Sequence, residues 1–225
     1  MHNQNGVRTI DGPLARIINH RVSITGVNDG SKRKDFIRME LDSHADSPVV
    51  GCGAHVLEYT GRKVTVSGFT DALGEPMLVD VVHALITYDC PTTGNSYPMM
   101  ISNALLVPSV DCCLINPFMM RLAGVQVDEC PKFLSPTPSV VNHSIYFPEI
   151  NLRIPLMLEG IVSYLICRTP NQDECHDTES LLYLTPMIEN WDPHAQTYNN
   201  QEMAMMDTNG DVKDRKSTRL NSSHP

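Results

Sequence analysis

Several absences narrow what this 225-residue chain can be. No apolar run approaches the ~18 residues needed for a helix to cross a bilayer. The first residues also lack the basic-then-apolar layout of an export signal. Without such a signal, seven cysteines, an odd number with no Cys-x-x-Cys pair, read as reduced thiols in the cytosol rather than a disulfide framework. Cys112-Cys113 and Cys175-His176 are adjacent pairs, and neighbouring side chains rarely converge on one tetrahedral ion, so no metal or other cofactor is expected. Basic clusters are missing too, apart from Lys32-Arg33-Lys34, which sits beside Gly30-Ser31 as a solvated turn. With a formal charge of -9 the chain offers no basic face for phosphates, which argues against nucleic acid or a membrane surface as its partner. Sustained helical periodicity is the last absence. Sixteen prolines and thirteen glycines cut the chain into short pieces, and an all-β fold is expected.

What the chain does have is alternation. Ile37, Met39 and Leu41 alternate with Phe36, Arg38 and Glu40, the pattern of a half-buried strand. That strand runs out into Asp42-Ser43-His44-Ala45-Asp46-Ser47, so a carboxylate is delivered at the end of an apolar element, a setting suited to proton chemistry. Upstream, Arg21 to Thr25 is a candidate edge strand for the stretch after Asp35. Downstream, the chain turns at Val49 to Gly53, and His55 to Tyr59 and Lys63 to Ser67 read as strands around a Thr60-Gly61-Arg62 turn. Gly68-Phe69 and Ala72 to Pro76 read as a hairpin tip, because glycine supplies the positive φ of tight turns. Met77 to Tyr88 and Met99 to Val107 are longer strands around the loop at 91–96. Cys113-Leu114-Ile115 leads through Asn116-Pro117 into a short helix, with proline near its first position and Gly124 as its stop. Later strands are expected at Ser144 to Phe147, Leu152 to Met157, Ile161 to Cys167 and Leu181 to Leu184. Asn190 to Asp211 shows little periodicity and is expected to be disordered.

Leu41-Asp42-Ser43-His44-Ala45-Asp46, a glycine-bearing hairpin some 25 to 30 residues later, Leu105-Leu106-Val107-Pro108 and then Leu114-Ile115 before a short helix occur in this order. As an ensemble they resemble the retropepsin-like aspartic protease region of copia-type LTR retrotransposon polyproteins, over roughly Val22 to Val127. The resemblance implies a closed β-barrel with one short α-helix, here followed by a β-rich extension. It also implies site residues. Asp42 would be the catalytic carboxylate, and Ser43 the hydroxyl that hydrogen-bonds across the site. His44, Ala45 and Asp46 would complete the active-site loop. Asp46 would meet substrate backbone or an arginine, with a turn-capping role as the alternative. Gly68, Phe69 and Gly74 would belong to a flap, and Leu114 and Ile115 to a strand threading behind the loop. Two departures stand out: His44 replaces the usual glycine, and Asn116-Pro117 replaces Gly-Arg, leaving Arg121 as the nearest arginine to face the loop aspartate.

Hydrolysis by this chemistry needs two aspartates around one water, one carboxylate taking its proton and the other, protonated, holding the scissile carbonyl. The chain offers one strand-borne candidate. Asp207-Thr208-Asn209-Gly210 superficially repeats the motif, but its composition is that of a turn and no alternating strand feeds it. The second Asp42 must then come from a second copy, so a homodimer is expected, cutting its own polyprotein. A non-catalytic dimerisation or peptide-binding module of a decayed element is the rival expectation. The organisation that follows is a disordered segment at 1–20, a protease-like domain at 21–130, a β-rich extension at 131–190 and a disordered linker at 191–213. Residues 214–225 resemble a translated sequencing adapter and are expected to carry no fold.

Overall fold

The alternation read around Asp42 becomes a strand whose odd residues Ile37, Met39 and Leu41 are buried while Arg38 and Glu40 are half-buried. The structure, a computed structural model, describes residues 7–9, 36–66, 76–176 and 180–213. Its strands are β1 (Val7–Thr9), β2 (Ile37–Leu41), β3 (Val49–Val50), β4 (His55–Val66), β5 (Met77–Asp89), β6 (Ser96–Leu106) and β7 (Cys112–Ile115). Helix α1 (Pro117–Leu122) follows, then β8 (Gln126–Asp128), β9 (Ser144–Phe147), β10 (Leu152–Pro155), β11 (Met157–Glu159) and β12 (Val162–Cys167). The chain ends with α2 (Gln172–His176), β13 (Leu182–Tyr183) and α3 (Gln196–Met205).

The fold is mostly β. Ten strands form one sheet along the path β1-β4-β5-β6-β3-β7-β2-β12-β11, with β13 added beside β6, and β10-β9-β8 form a separate antiparallel sheet. Among the described residues β1 and β11 lie at the ends of this path, and a separate antiparallel bridge, Thr87↔Arg168, joins β5 to the residue that follows β12. Three α-helices are described where one was expected. One of them, α2, is started by reciprocal bonds: Asn171 N–H donates to Glu174 Oε2 at 2.8 Å and Glu174 N–H donates to Asn171 Oδ1 at 2.9 Å.

Strand β7 explains the core. All four of its residues are buried, because it lies mid-sheet with apolar cover on both faces. Cys113 and Ile115 join the larger apolar cluster, with Met39, Val50, Ile86, Ile101 and Leu165, while Cys112 and Leu114 join a second cluster with Val49, Val81 and Leu105. Burial pushes the Cys113 thiol up to about 12, so at neutral pH it is a small apolar filler, not a nucleophile. The larger cluster extends to Ile145, Ile154 and Leu184, so the extension shares the core of the segment before it.

Both edges of β2 are taken, by β7 in parallel and by β12 antiparallel, with Met39 facing Cys113 on one side and Leu165 on the other. The neighbour expected from Arg21 to Thr25 lies outside the described residues. The linker expected to be disordered at 191–213 instead carries α3, and Trp191 ahead of it is only 6% exposed.

Candidate active site

The Asp42 loop is short because it joins two strands that flank a third. β2 pairs with β7 from Arg38↔Cys112 to Leu41↔Ile115, and β3 pairs with the other edge of β7 at Val49↔Leu114. The strand holding Leu114 and Ile115 thus passes between the two arms of the loop that holds Asp42. At the point of departure Asp42 N–H donates to Ile115 O at 2.9 Å, extending the ladder by one bond. Gly51 marks the other arm. A Cβ there would meet the Cys112 carbonyl oxygen at 2.6 Å and the Val110 carbonyl oxygen closer still, so only glycine allows β7 to come this near.

Within the loop, Ala45 N–H donates to Asp42 O at 3.3 Å and His44 N–H donates to Asp42 Oδ1 at 2.9 Å. The carboxylate is therefore oriented by its own turn. Asp42 is half-buried, Ala45 is buried, and Ser43 and His44 are exposed. His44 is not among the positive-φ residues, so a side chain is accommodated where the resemblance has glycine, and its imidazole lies outward with Nδ1 3.3 Å from Ser43 Oγ.

Asn116 takes over the fastening of the loop. Its Oδ1 accepts from Phe118 N–H at 2.7 Å and so caps α1, while its amide donates to the carbonyls of Ala45 and, at 3.5 Å, Ser43. One side chain thus ties the first turn of α1 to the Asp42 loop. Asn116→Ala is expected to destabilise the protein by about 2 kcal/mol, the sum of a lost cap and lost loop bonds. Asn116→Asp, which keeps the capping oxygen but turns a carboxylate toward carbonyls, should do no better. Urea midpoints of the three proteins check this, and an unchanged midpoint for Asn116→Ala would show that the bridge contributes nothing.

Arg121 does not face the loop aspartate. Its guanidinium donates to Val127 O at 3.0 Å and Glu129 Oε1 at 3.1 Å, holding α1 to the turn after β8. Asp46 is met instead by residues from the far end of the chain. Trp191 Nε1–H donates to the Asp46 carbonyl at 3.1 Å, and His194 Nε2 lies 3.9 Å from Asp46 Oδ2. The carboxylate is left with its side chain 12% exposed. Trp191 and His194 lay in the stretch expected to be disordered. The available signal was that the sole tryptophan of the chain sits there, a large aromatic body among polar residues.

The expected flap residues Gly68, Phe69 and Gly74 lie outside the described residues. Among the described residues no group of three or more His, Cys, Asp or Glu side chains could hold a metal ion, and no helix is long and apolar enough to cross a membrane. Comparison with family models, with curated proteins and with solved structures finds no match for this chain.

Proposed function

We propose that the chain is a retropepsin-like aspartic endopeptidase whose site forms when the Asp42 loops of two copies meet. The observation that carries this reading is the bond from Asp42 N–H to Ile115 O at the head of a strand held between both arms of the loop. A half-buried carboxylate on a loop fastened on three sides, by β2, β7 and Asn116, is preorganised, and preorganisation is what proton transfer to and from a bound water requires. With Ser43 and His44 exposed, the loop is free to meet its counterpart across a two-fold axis.

In the proposed reaction a water lies between the two Asp42 carboxyl groups. The ionised one removes its proton as the oxygen attacks the peptide carbonyl, and the protonated one donates a hydrogen bond to the developing oxyanion. The amine then leaves with a proton returned from the pair. The substrate is a polypeptide, in the first instance the chain's own cytosolic polyprotein, and no cofactor enters the reaction.

One observation favours the rival module without catalysis. The Ser43 hydroxyl is within reach of His44 in its own chain, which competes with a bond across the dyad. A shared site makes an assembly prediction that separates the two. Pepstatin-sensitive peptide hydrolysis should rise with the square of chain concentration at high dilution and become linear where sedimentation shows a dimer. Hydrolysis by a strictly monomeric sample would rule out the shared pair.

A further inference from the structure

The segment that follows β13 behaves as two unequal halves. Its first half is built into the sheet. Leu184 N–H donates to Met100 O at 2.9 Å, Ser102 N–H donates to Thr185 Oγ1 at 2.7 Å, and Thr185 Oγ1–H donates back to Ser102 O at 3.1 Å. Asn103, at a bulge with φ +56°, donates from Nδ2 to Ile188 O at 2.8 Å. Leu184 and Thr185 are fully buried.

The second half has one deep anchor. Trp191 is buried beside the Asp46 carbonyl, Tyr198 stands edge-on to Phe118 of α1 with ring centroids 5.4 Å apart, and the Trp191 and Tyr198 rings are 6.0 Å apart. None of the ten residues of α3 is buried, Tyr198 being half-buried, and no side chain caps its start. A helix this short is marginal in water, so it persists only while that aromatic contact holds. A firmly rooted segment with a lightly held end is a strap, hinged after Ile188 and latched by Trp191.

We propose that this strap is a displaceable cover over the Asp46 end of the active-site loop, and that a peptide must lift Trp191 and His194 to bind there. The inference rests on the protease reading above, which has Asp46 meeting substrate backbone. The latch occupies that position: one indole N–H fills the Asp46 carbonyl and His194 stands 3.9 Å from its carboxylate, while Asp42 itself remains half-open. Opening and binding are then linked, and affinity is lowered by the fraction of chains that are closed.

The test uses the full chain, at concentrations that give the dimer, with pepstatin as the probe. Because Trp191 is the sole tryptophan, its emission reports on the strap alone. Pepstatin should shift that emission to the red in the wild type. Tyr198→Ala, which keeps the reporter, and Trp191→Ala, which removes the latch, should both bind it about tenfold tighter by calorimetry, the factor for a strap closed in about nine chains of ten. Circular dichroism confirms that both variants retain the β fold. Pepstatin bound with equal affinity by all three proteins, with unmoved tryptophan emission, overturns the strap and leaves the protease reading standing. Absence of binding in all three, including the unlatched forms, takes down the protease reading and the strap with it.

Discussion

Asp42→Asn is expected to lower peptide hydrolysis by at least about 10³-fold without loosening the fold. The substitution preserves shape. The asparagine carbonyl oxygen can still accept the His44 N–H that Oδ1 accepts at 2.9 Å, and the backbone bond from residue 42 to Ile115 O is untouched. What disappears is the ability to take a proton from water. Mixing makes the effect diagnostic of a shared site. If wild-type and Asp42→Asn chains pair at random in equal amounts, about a quarter of the dimers keep two aspartates, so activity should fall to about a quarter. A catalyst complete in one chain would keep about half. Activity of the asparagine variant close to wild type would remove Asp42 from the reaction altogether. An inert wild type that still binds pepstatin would leave the peptide-binding module as the function.

Legibility in the sequence followed locality. Ile37, Met39 and Leu41 announce β2 because alternation is a property of neighbours, and Ser144 to Phe147 reappears unchanged as β9. Helix α1 is equally local, started by Asn116-Pro117 and closed before Gly124 at φ +87°. Thr60-Gly61-Arg62 misleads for a physical reason. Gly61 has φ +76°, as a turn would need, yet the register shift between Tyr59 and Lys63 absorbs the extra residues and β4 continues through it as a bulged strand. Pairing order is less legible. That β12, more than a hundred residues away, lies along β2 depends on which apolar faces remain uncovered after collapse, and proximity in sequence suggests a different neighbour. The strap was invisible for the same reason. Residues 196–205 have no apolar stripe, so α3 owes its existence to Trp191, Tyr198 and Phe118 meeting in space. Asp42, Asn116 and Ile115 could be named from the sequence. That Asn116 would fasten the loop, and that Asp46 would turn to the end of the chain, could not.

Removing Arg168 is expected to be the most damaging single change to stability among the charged residues, at about 2–4 kcal/mol for Arg168→Ala. Arg168 follows β12 and its guanidinium gathers groups far apart in sequence. Nε–H and Nη2–H donate to the two Asp89 oxygens at 2.7 and 2.9 Å, and Nη1–H and Nη2–H donate to the two Glu174 oxygens at 2.8 and 2.7 Å. Its backbone exchanges two bonds with Thr87 of β5. The site thus clamps the end of β12 and the start of α2 onto the β5–β6 hairpin. The two acids differ in what they lose. Asp89 has a side chain 53% exposed and can return to water, so its share is small. Glu174 is 13% exposed, and without the guanidinium its charge would be held only by Asn171 N–H and the Thr87 hydroxyl. Hydrogen bonding to Arg168 holds both carboxyls below their ordinary range, against the opposing pull of burial. A carboxyl depressed in the folded state adds stability that is complete above its unfolded value of about 4, and that stability is lost as pH falls through the folded value. The gap in urea midpoint between wild type and Arg168→Ala should therefore be widest near about pH 7 and close progressively below about pH 4. Arg168→Lys, which keeps a charge but not the planar fork, should recover less than about half of the gap. A gap of constant size from neutral to acid pH would mean that Arg168 acts through packing of its stem, and the electrostatic clamp would be wrong.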